Sequence, residues 1–326
     1  MSDHLTVLIA GAGPMAAAYA AVLRDLHVPF AVLGRGEDSA ARFEAEIGAP
    51  VLRGGLEGLP ADAGRRFRAA IVATDIDQLA PVSAGLARAG IGRLLVEKPA
   101  GLDPTQIRAT AACLAGLGCE AFVAYNRRFY ASVRRARELI AEDGGVTSFH
   151  FEFTEIEARI LAKPRSAEVL ANFTLGNSSH VVDLAFHLGG EPEVSAGATA
   201  GGLHWHPSAA VFAGAGRTRA GALFTWRADW SSAGRWSLDV RTPRRRLLLE
   251  PLETLAVQEK GSFAVTPAAL DDADDRRYKP GLLLQTRAFV SEAPEETALA
   301  RLSAHCEALD RVFLPVFSPD GFESPV

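Results

Sequence analysis

Cysteine is scarce: Cys113, Cys119 and Cys306 are the three in 326 residues. They form an odd set with neither the spacing of a metal centre nor that of a disulfide framework. A disulfide-stapled scaffold is excluded, no metal ligands are assigned, and a reducing, cytoplasmic setting is expected. Long apolar runs are also missing. No window reaches the ~18 apolar residues of a membrane span, and the stretch 1–5 lacks the charged and apolar regions of a leader. Neither membrane insertion nor export is therefore expected. Blocks of one charge are absent as well: 34 basic and 39 acidic side chains are mixed along the chain, leaving a formal net charge of -5. Nothing here is basic enough to track a phosphate backbone, so nucleic acid is not an expected partner. The densest cationic run, Arg241 with Arg244, Arg245 and Arg246, leads into Leu247, Leu248 and Leu249 and reads as the solvated start of a strand. No internal repeat is present.

What is there is apolar material, 48% of the residues, enough to bury the cores of two domains. Up to about residue 123, short apolar runs at 5–10, 30–33, 69–73, 93–96 and 121–123 alternate with helical stretches at 16–26, 40–47, 78–89 and 105–117. That alternation is the mark of βαβ units wound into a parallel sheet. Beyond Tyr130 a helix near 132–142 gives way to alternating segments at 147–157, 221–230 and 235–241, which suit an open antiparallel sheet. Helical periodicity returns at 278–291 and 298–313, and 267–277, with its aspartate run, reads as an acidic solvated loop. The expected class is α/β. A Rossmann, doubly wound parallel sheet occupies 1–123, and an α+β substrate-binding and oligomerisation domain with a mainly antiparallel sheet occupies 124–326. The C-terminal helices are placed to pack back on the first domain.

Gly11-Ala12-Gly13-Pro14-Met15-Ala16 follows the first strand and opens the first helix, the setting a dinucleotide fingerprint requires. Gly11 allows the tight turn, Gly13 lets the backbone approach a pyrophosphate, and Ala16 suffices where only close packing is asked. Amides at the helix start, around Pro14 and Met15, then face the diphosphate. At the end of the second strand, where an NAD-selective fold commonly offers a carboxylate to the ribose, stand Gly34 and Arg35. A planar cation there suits a 2′-phosphate, with Ser39 as a hydroxyl donor, so NADP(H) is favoured over NAD(H).

Four further pieces occur in order: Ala73-Thr74-Asp75, Glu97-Lys98-Pro99, Tyr125-Asn126-Arg127-Arg128-Phe129, and Ser178-Ser179-His180-Val181-Val182-Asp183. With them the whole chain resembles the glucose-fructose oxidoreductase, inositol dehydrogenase and MocA family. The resemblance implies that Lys98 sits beside the nicotinamide and polarises the reacting oxygen, with Thr74 and Glu97 lining the cofactor. It also implies that His180 is the acid/base, a role suited to a group that titrates near neutrality. Asp183, at i+3 from His180, either joins that site or is an ordinary carboxylate. Asn126, Arg128 and Asn177 join His180 as substrate-side candidates. Arg127 is expected to face solvent, His187 to be structural, and Trp226, Trp230 and Trp236 to belong to sheet core or a subunit interface.

One departure stands out. An aspartate found in the inositol-dehydrogenase form of the last motif is replaced here by Gly176, which predicts room near His180 for a bulkier or anionic substrate group. The implied reaction is hydride transfer between NADP(H) and a carbinol or ketone of a sugar-like small molecule. The implied assembly is a homodimer or homotetramer through the C-terminal sheet. Two other outcomes share the fold: a lyase or glycosidase that recycles a tightly held nicotinamide, and a non-catalytic sensor.

Overall fold

The structure, a computed structural model, describes residues 6–291 and 298–318. It divides into two compact units. The first takes the described residues up to Asn126 together with those from Asp274 to Cys306, and the second takes 127–273 and the described residues from 307 on.

In the first unit, β1 (Val7–Ala10), β2 (Phe30–Leu33), β3 (Val51–Leu52), β4 (Ala69–Val72), β5 (Arg93–Val96) and β6 (Glu120–Val123) form one parallel sheet in the order β3-β2-β1-β4-β5-β6. This is the doubly wound order of a Rossmann fold. Every residue of the central strands β1 and β4 is buried, as a parallel sheet covered on both faces demands. Because all six strands run the same way, their carboxyl ends make a single edge. Gly11, Gly34, Thr74, Lys98 and Asn126 all leave from it. A short strand, Ala300–Arg301, closes the β6 side antiparallel to its neighbour, inside a stretch whose periodicity predicted helix alone.

The second unit carries an eight-stranded sheet. Its strands are β7 (Ser148–Phe153), β8 (Pro192–Ala200), β9 (Val211–Thr218), β10 (Leu223–Asp229), β11 (Trp236–Arg241), β12 (Arg245–Leu249), β13 (Ala256–Glu259) and β14 (Val265–Pro267). The order is β14-β13-β12-β11-β7-β10-β9-β8. All neighbours are antiparallel except β7 and β10, which run parallel. Alternation sorts the faces: Phe149, Phe151, Phe153, Phe224, Trp226, Leu238 and Val240 are buried on one side. Phe149 stacks on Phe224 with ring centroids 5.3 Å apart, and Phe151 on Trp226 at 6.3 Å. The helix Ser179–Gly189 lies on this face, its Phe186 ring meeting Phe224 edge-on at 5.0 Å. Aromatic burial on this scale, about 3–5 kcal/mol per large ring, fixes the helix that carries His180 to β7.

The stretch expected as a loop at 267–277 contains a short helix, Ala273–Arg277. Asp274 and Asp275 stand in its first turn and Arg276 and Arg277 in its last, the arrangement that complements the helix dipole.

Candidate active site

The glycine turn is built for close backbone approach. Gly11 stands at φ 121, and a Cβ there would lie 2.3 Å from the Ala73 carbonyl oxygen, so no other residue passes beneath the β4 loop. The helix Pro14–Asp25 then starts from Gly13 in extended conformation, with Pro14 in its first turn, no side-chain cap and no acidic group in that turn. Its first amides and the positive end of its dipole are thus left for an external anion. Thr74, across the turn at the end of β4, holds a buried hydroxyl oxygen with no hydrogen-bond partner. These features fit a dinucleotide diphosphate.

At the end of β2, a Cβ on Gly34 would meet Val51 Cγ1 at 2.8 Å and Ala12 Cβ at 3.3 Å. The glycine is therefore demanded by packing and also bars a carboxylate at that position. Arg35 next to it is exposed, Nη1 donating to Gln78 Oε1 at 3.0 Å. The Ser39 hydroxyl donates to Gly36 O at 2.9 Å, which ties it into the turn.

Glu97 and Lys98 leave the end of β5. The Lys98–Pro99 peptide is cis, and Ala100 follows at φ 74, a region few non-glycine residues occupy. Two contacts hold the loop: Ala100 N donates to Glu97 O at 3.0 Å, and His305 Nε2 lies 3.1 Å from Pro99 O. His305 in turn packs edge-on against Tyr125 at 5.6 Å. Glu97 is tied inward, accepting from the Tyr19 hydroxyl at 2.8 Å. Burial pushes the Glu97 carboxyl up, while the Tyr19 hydrogen bond and the Lys98 and Lys279 ammoniums pull it down. The Tyr19 phenol is raised well above its ordinary value by burial and then by Glu97. Lys98 is half-buried and stands, with Pro99, at the centre of the turn that the Ala100–Glu97 bond closes. Asn126, also in this unit, donates from Nδ2 to Pro280 O at 2.8 Å.

In the second unit a widened, π-helical turn, Thr174–Ser178, runs straight into the helix Ser179–Gly189. Such turns are frequent at functional sites. His180, 6% exposed, lies near Trp236 with ring centroids 6.2 Å apart. Arg127 sets its guanidinium over the same indole at 4.8 Å. That corrects the expectation of a solvent-facing Arg127: a planar cation on an aromatic face is held there, and its Nε is buried. Trp226 and Trp230 are core residues, each 2% exposed, whereas Trp236 borders His180.

Asp183 lies one turn beyond His180, and Arg128 grips it with two hydrogen bonds, Nε to Oδ2 at 2.8 Å and Nη2 to Oδ1 at 2.5 Å. Two of the candidates are thus brought together with each other. His187 is driven down to about 3 by burial and by the Arg128 and Arg137 charges.

Asn177 Nδ2 and Ser178 Oγ both donate to Glu155 Oε1, at 2.9 and 2.7 Å. The carboxylate absent at Gly176 is supplied to the same turn by Glu155, from just beyond the end of β7. Glu155 stands 23 positions from Ser178 in sequence, so a neighbour in space, and not along the chain, brings a carboxyl group to this turn. Glu155, Tyr19 and His305 were not found by sequence reasoning. Glu155 and Tyr19 lay within segments read as an ordinary strand and helix, and only a partner far along the chain marks them.

No protein family and no curated sequence matches the chain. Solved structures do. UDP-N-acetylglucosamine 3-dehydrogenase GnnA from Acidithiobacillus ferrooxidans is similar at 16% identity and a TM-score of 0.74, covering 97% of both chains. An oxidoreductase from Agrobacterium radiobacter in complex with NAD+, L-tartaric acid and magnesium is similar at 14% identity, TM-score 0.72 and 93% of both chains. Levoglucosan dehydrogenase in complex with NADH and levoglucosan is similar at 17% identity and TM-score 0.68, over 94% of this chain and 90% of that one. The two-domain fold is therefore that of these enzymes.

Proposed function

We propose that the chain is a nicotinamide-dependent oxidoreductase that interconverts a carbinol and a ketone on a carbohydrate, cyclitol or sugar-nucleotide. The observation that carries this reading is the shared carboxyl edge of the first sheet. One strand end opens an uncapped helix for a diphosphate, and another, two strands away, presents Lys98. The bound nicotinamide supplies or accepts the hydride. Lys98 stabilises negative charge on the reacting oxygen with its ammonium, and His180 exchanges the hydroxyl proton. Arg128, Asp183, Asn126 and Asn177 serve as orienting groups, with Glu155 fixing the turn before His180. The similar structures, a UDP-N-acetylglucosamine 3-dehydrogenase and a levoglucosan dehydrogenase, support the sugar-like class.

NADP(H) is the preferred cofactor in this reading, because Gly34 excludes a carboxylate and Arg35 stands beside it. The protein works in the cytoplasm, and no helix among the described residues is long and apolar enough to cross a membrane. Two copies pair through the open face of the second sheet, which light scattering tests by mass.

The function itself is tested by screening sugars, UDP-sugars and cyclitols with NADPH and with NADH while following nicotinamide absorbance. Steady-state oxidation or reduction of added cofactor is expected. Substrate conversion with no net change in cofactor would overturn it in favour of a redox-cycling lyase.

A further inference from the structure

Gln285 is fully buried, at 0% exposure, in the helix Leu282–Val290, which lies against the helix Pro14–Asp25 of the same unit. A carboxamide taken out of water costs free energy unless its donors and acceptor find partners, and here both ends do. The oxygen accepts from Asn126 N at 3.0 Å and from Tyr125 N at 3.1 Å, the second donor being shared with Val123 O. With the oxygen facing these donors, the amide nitrogen lies 3.4 Å from the Tyr19 hydroxyl, which donates in turn to Glu97 Oε1 at 2.8 Å. Tyr19 is also 0% exposed. Burial and Glu97 raise its phenol well above the ordinary value, so it remains a donor at any working pH.

Gln285, Tyr19 and Glu97 thus form a relay in which each group donates to the next. It joins two strand ends. Glu97 opens the turn after β5 that carries Lys98, and Tyr125 and Asn126 follow β6. Asn126 is held twice by the late segment, through its backbone N on Gln285 and through Nδ2 on Pro280 O at 2.8 Å. An apolar side chain of like volume would fill the same space but bond to neither strand end, whereas the tip of a glutamine carries an acceptor for one and a donor for the other.

The geometry points to Gln285 as a positioning residue that, through the Tyr19 hydroxyl, holds the Lys98 turn and the Asn126 segment in register with each other. The inference rests on the oxidoreductase reading above and deepens it: two groups that the reading sets against the substrate are placed by one buried side chain from the late part of the chain.

The test measures kcat and KM on the best sugar of the screen above, with NADPH, for the full chain and for Gln285→Met, Tyr19→Phe and the double variant, with thermal unfolding as a control. Each single variant should lower kcat by about 10-fold or more, the scale of a small misplacement at a reacting centre, while KM for NADPH stays within about 3-fold. The double variant should lose little more than Gln285→Met alone, because both act through one relay. A hydrogen bond donated to a carboxylate favours the charged form, so Tyr19→Phe should also move the acidic limb of the kcat profile to higher pH, with the Lys98 and Lys279 ammoniums that act on Glu97 left in place. If Gln285→Met folds poorly, Tyr19→Phe decides by the same readings. Variants that melt earlier yet keep kcat and its pH profile would overturn this inference alone, and so would losses that multiply in the double variant. A wild type that turns over nothing in the screen overturns the oxidoreductase reading with it.

Discussion

The two sheets solve the same problem, placing a few groups accurately, by opposite means. In the first unit the groups sit where the backbone ends: β1, β4 and β5 stop at one edge, and Gly11, Thr74 and Lys98 follow by chain continuity. In the second unit the groups sit on a helix laid across a sheet face, and long-range side-chain bonds aim them: Arg128 to Asp183, and Asn177 and Ser178 to Glu155. The first design depends on backbone geometry and tolerates little change in its glycines. The second depends on polar contacts that can be removed one at a time, and so lends itself to dissection by substitution.

The largest expected effect tests whether the two designs serve one reaction. Lys98→Met and His180→Ala should each lower the hydride-transfer rate by about 10²–10⁴-fold while cofactor still binds, as read by single-turnover absorbance and fluorescence titration. A loss in one variant only would separate the two units functionally.

The next concerns the stability of the second unit. His187 is held at about 3 in the folded chain against an ordinary value near 6.5, so the unfolded chain takes up the proton first. This contribution is therefore complete above about pH 6.5 and is lost as pH falls toward 3. Urea unfolding at pH 8 and at pH 4.5 should differ by roughly 3 kcal/mol from this group, because each pH unit below the unfolded value is worth a little over ~1 kcal/mol. His187→Leu should remove that part of the slope; an unchanged slope would show that the ring is not buried neutral.

In the first unit, Arg35→Ala should weaken NADPH by about 2 kcal/mol, as for one charge-assisted hydrogen bond, and scarcely affect NADH. Equal wild-type affinity for the two cofactors would break the assignment. The smallest expected effect is at Glu155. Glu155→Gln keeps an acceptor oxygen for Asn177 and Ser178 and should cost about 1 kcal/mol or less in kcat/KM, whereas Glu155→Ala, which leaves both donors without that acceptor, should cost more. If the two variants behave alike, the charge rather than the hydrogen-bond geometry is what the turn before His180 needs.

Legibility followed the same divide. The strands of the first sheet lie where apolar runs bounded by glycine or polar residues predict them, because burial on both faces leaves no other composition. The strands β8 and β9 were not anticipated: their runs of Gly, Ala, Ser and Thr carry little hydrophobic signal, and they are strands because β10 offers β9 an edge and β9 offers one to β8. The short Val51–Leu52 and Ala300–Arg301 strands are too brief for periodicity to mark.

By itself, then, the sequence determined the parallel sheet, the uncapped glycine turn and the position of Lys98 at a strand end, since these follow from local order along the chain. Tertiary structure alone decided that Glu155 supplies the carboxylate missing at Gly176, that Arg128 takes Asp183, that Arg127 lies on Trp236, and that Tyr19 anchors Glu97. Each of these joins residues more than 20 positions apart, and a side chain's partner across such a distance is set by packing, to which neither periodicity nor local spacing is sensitive.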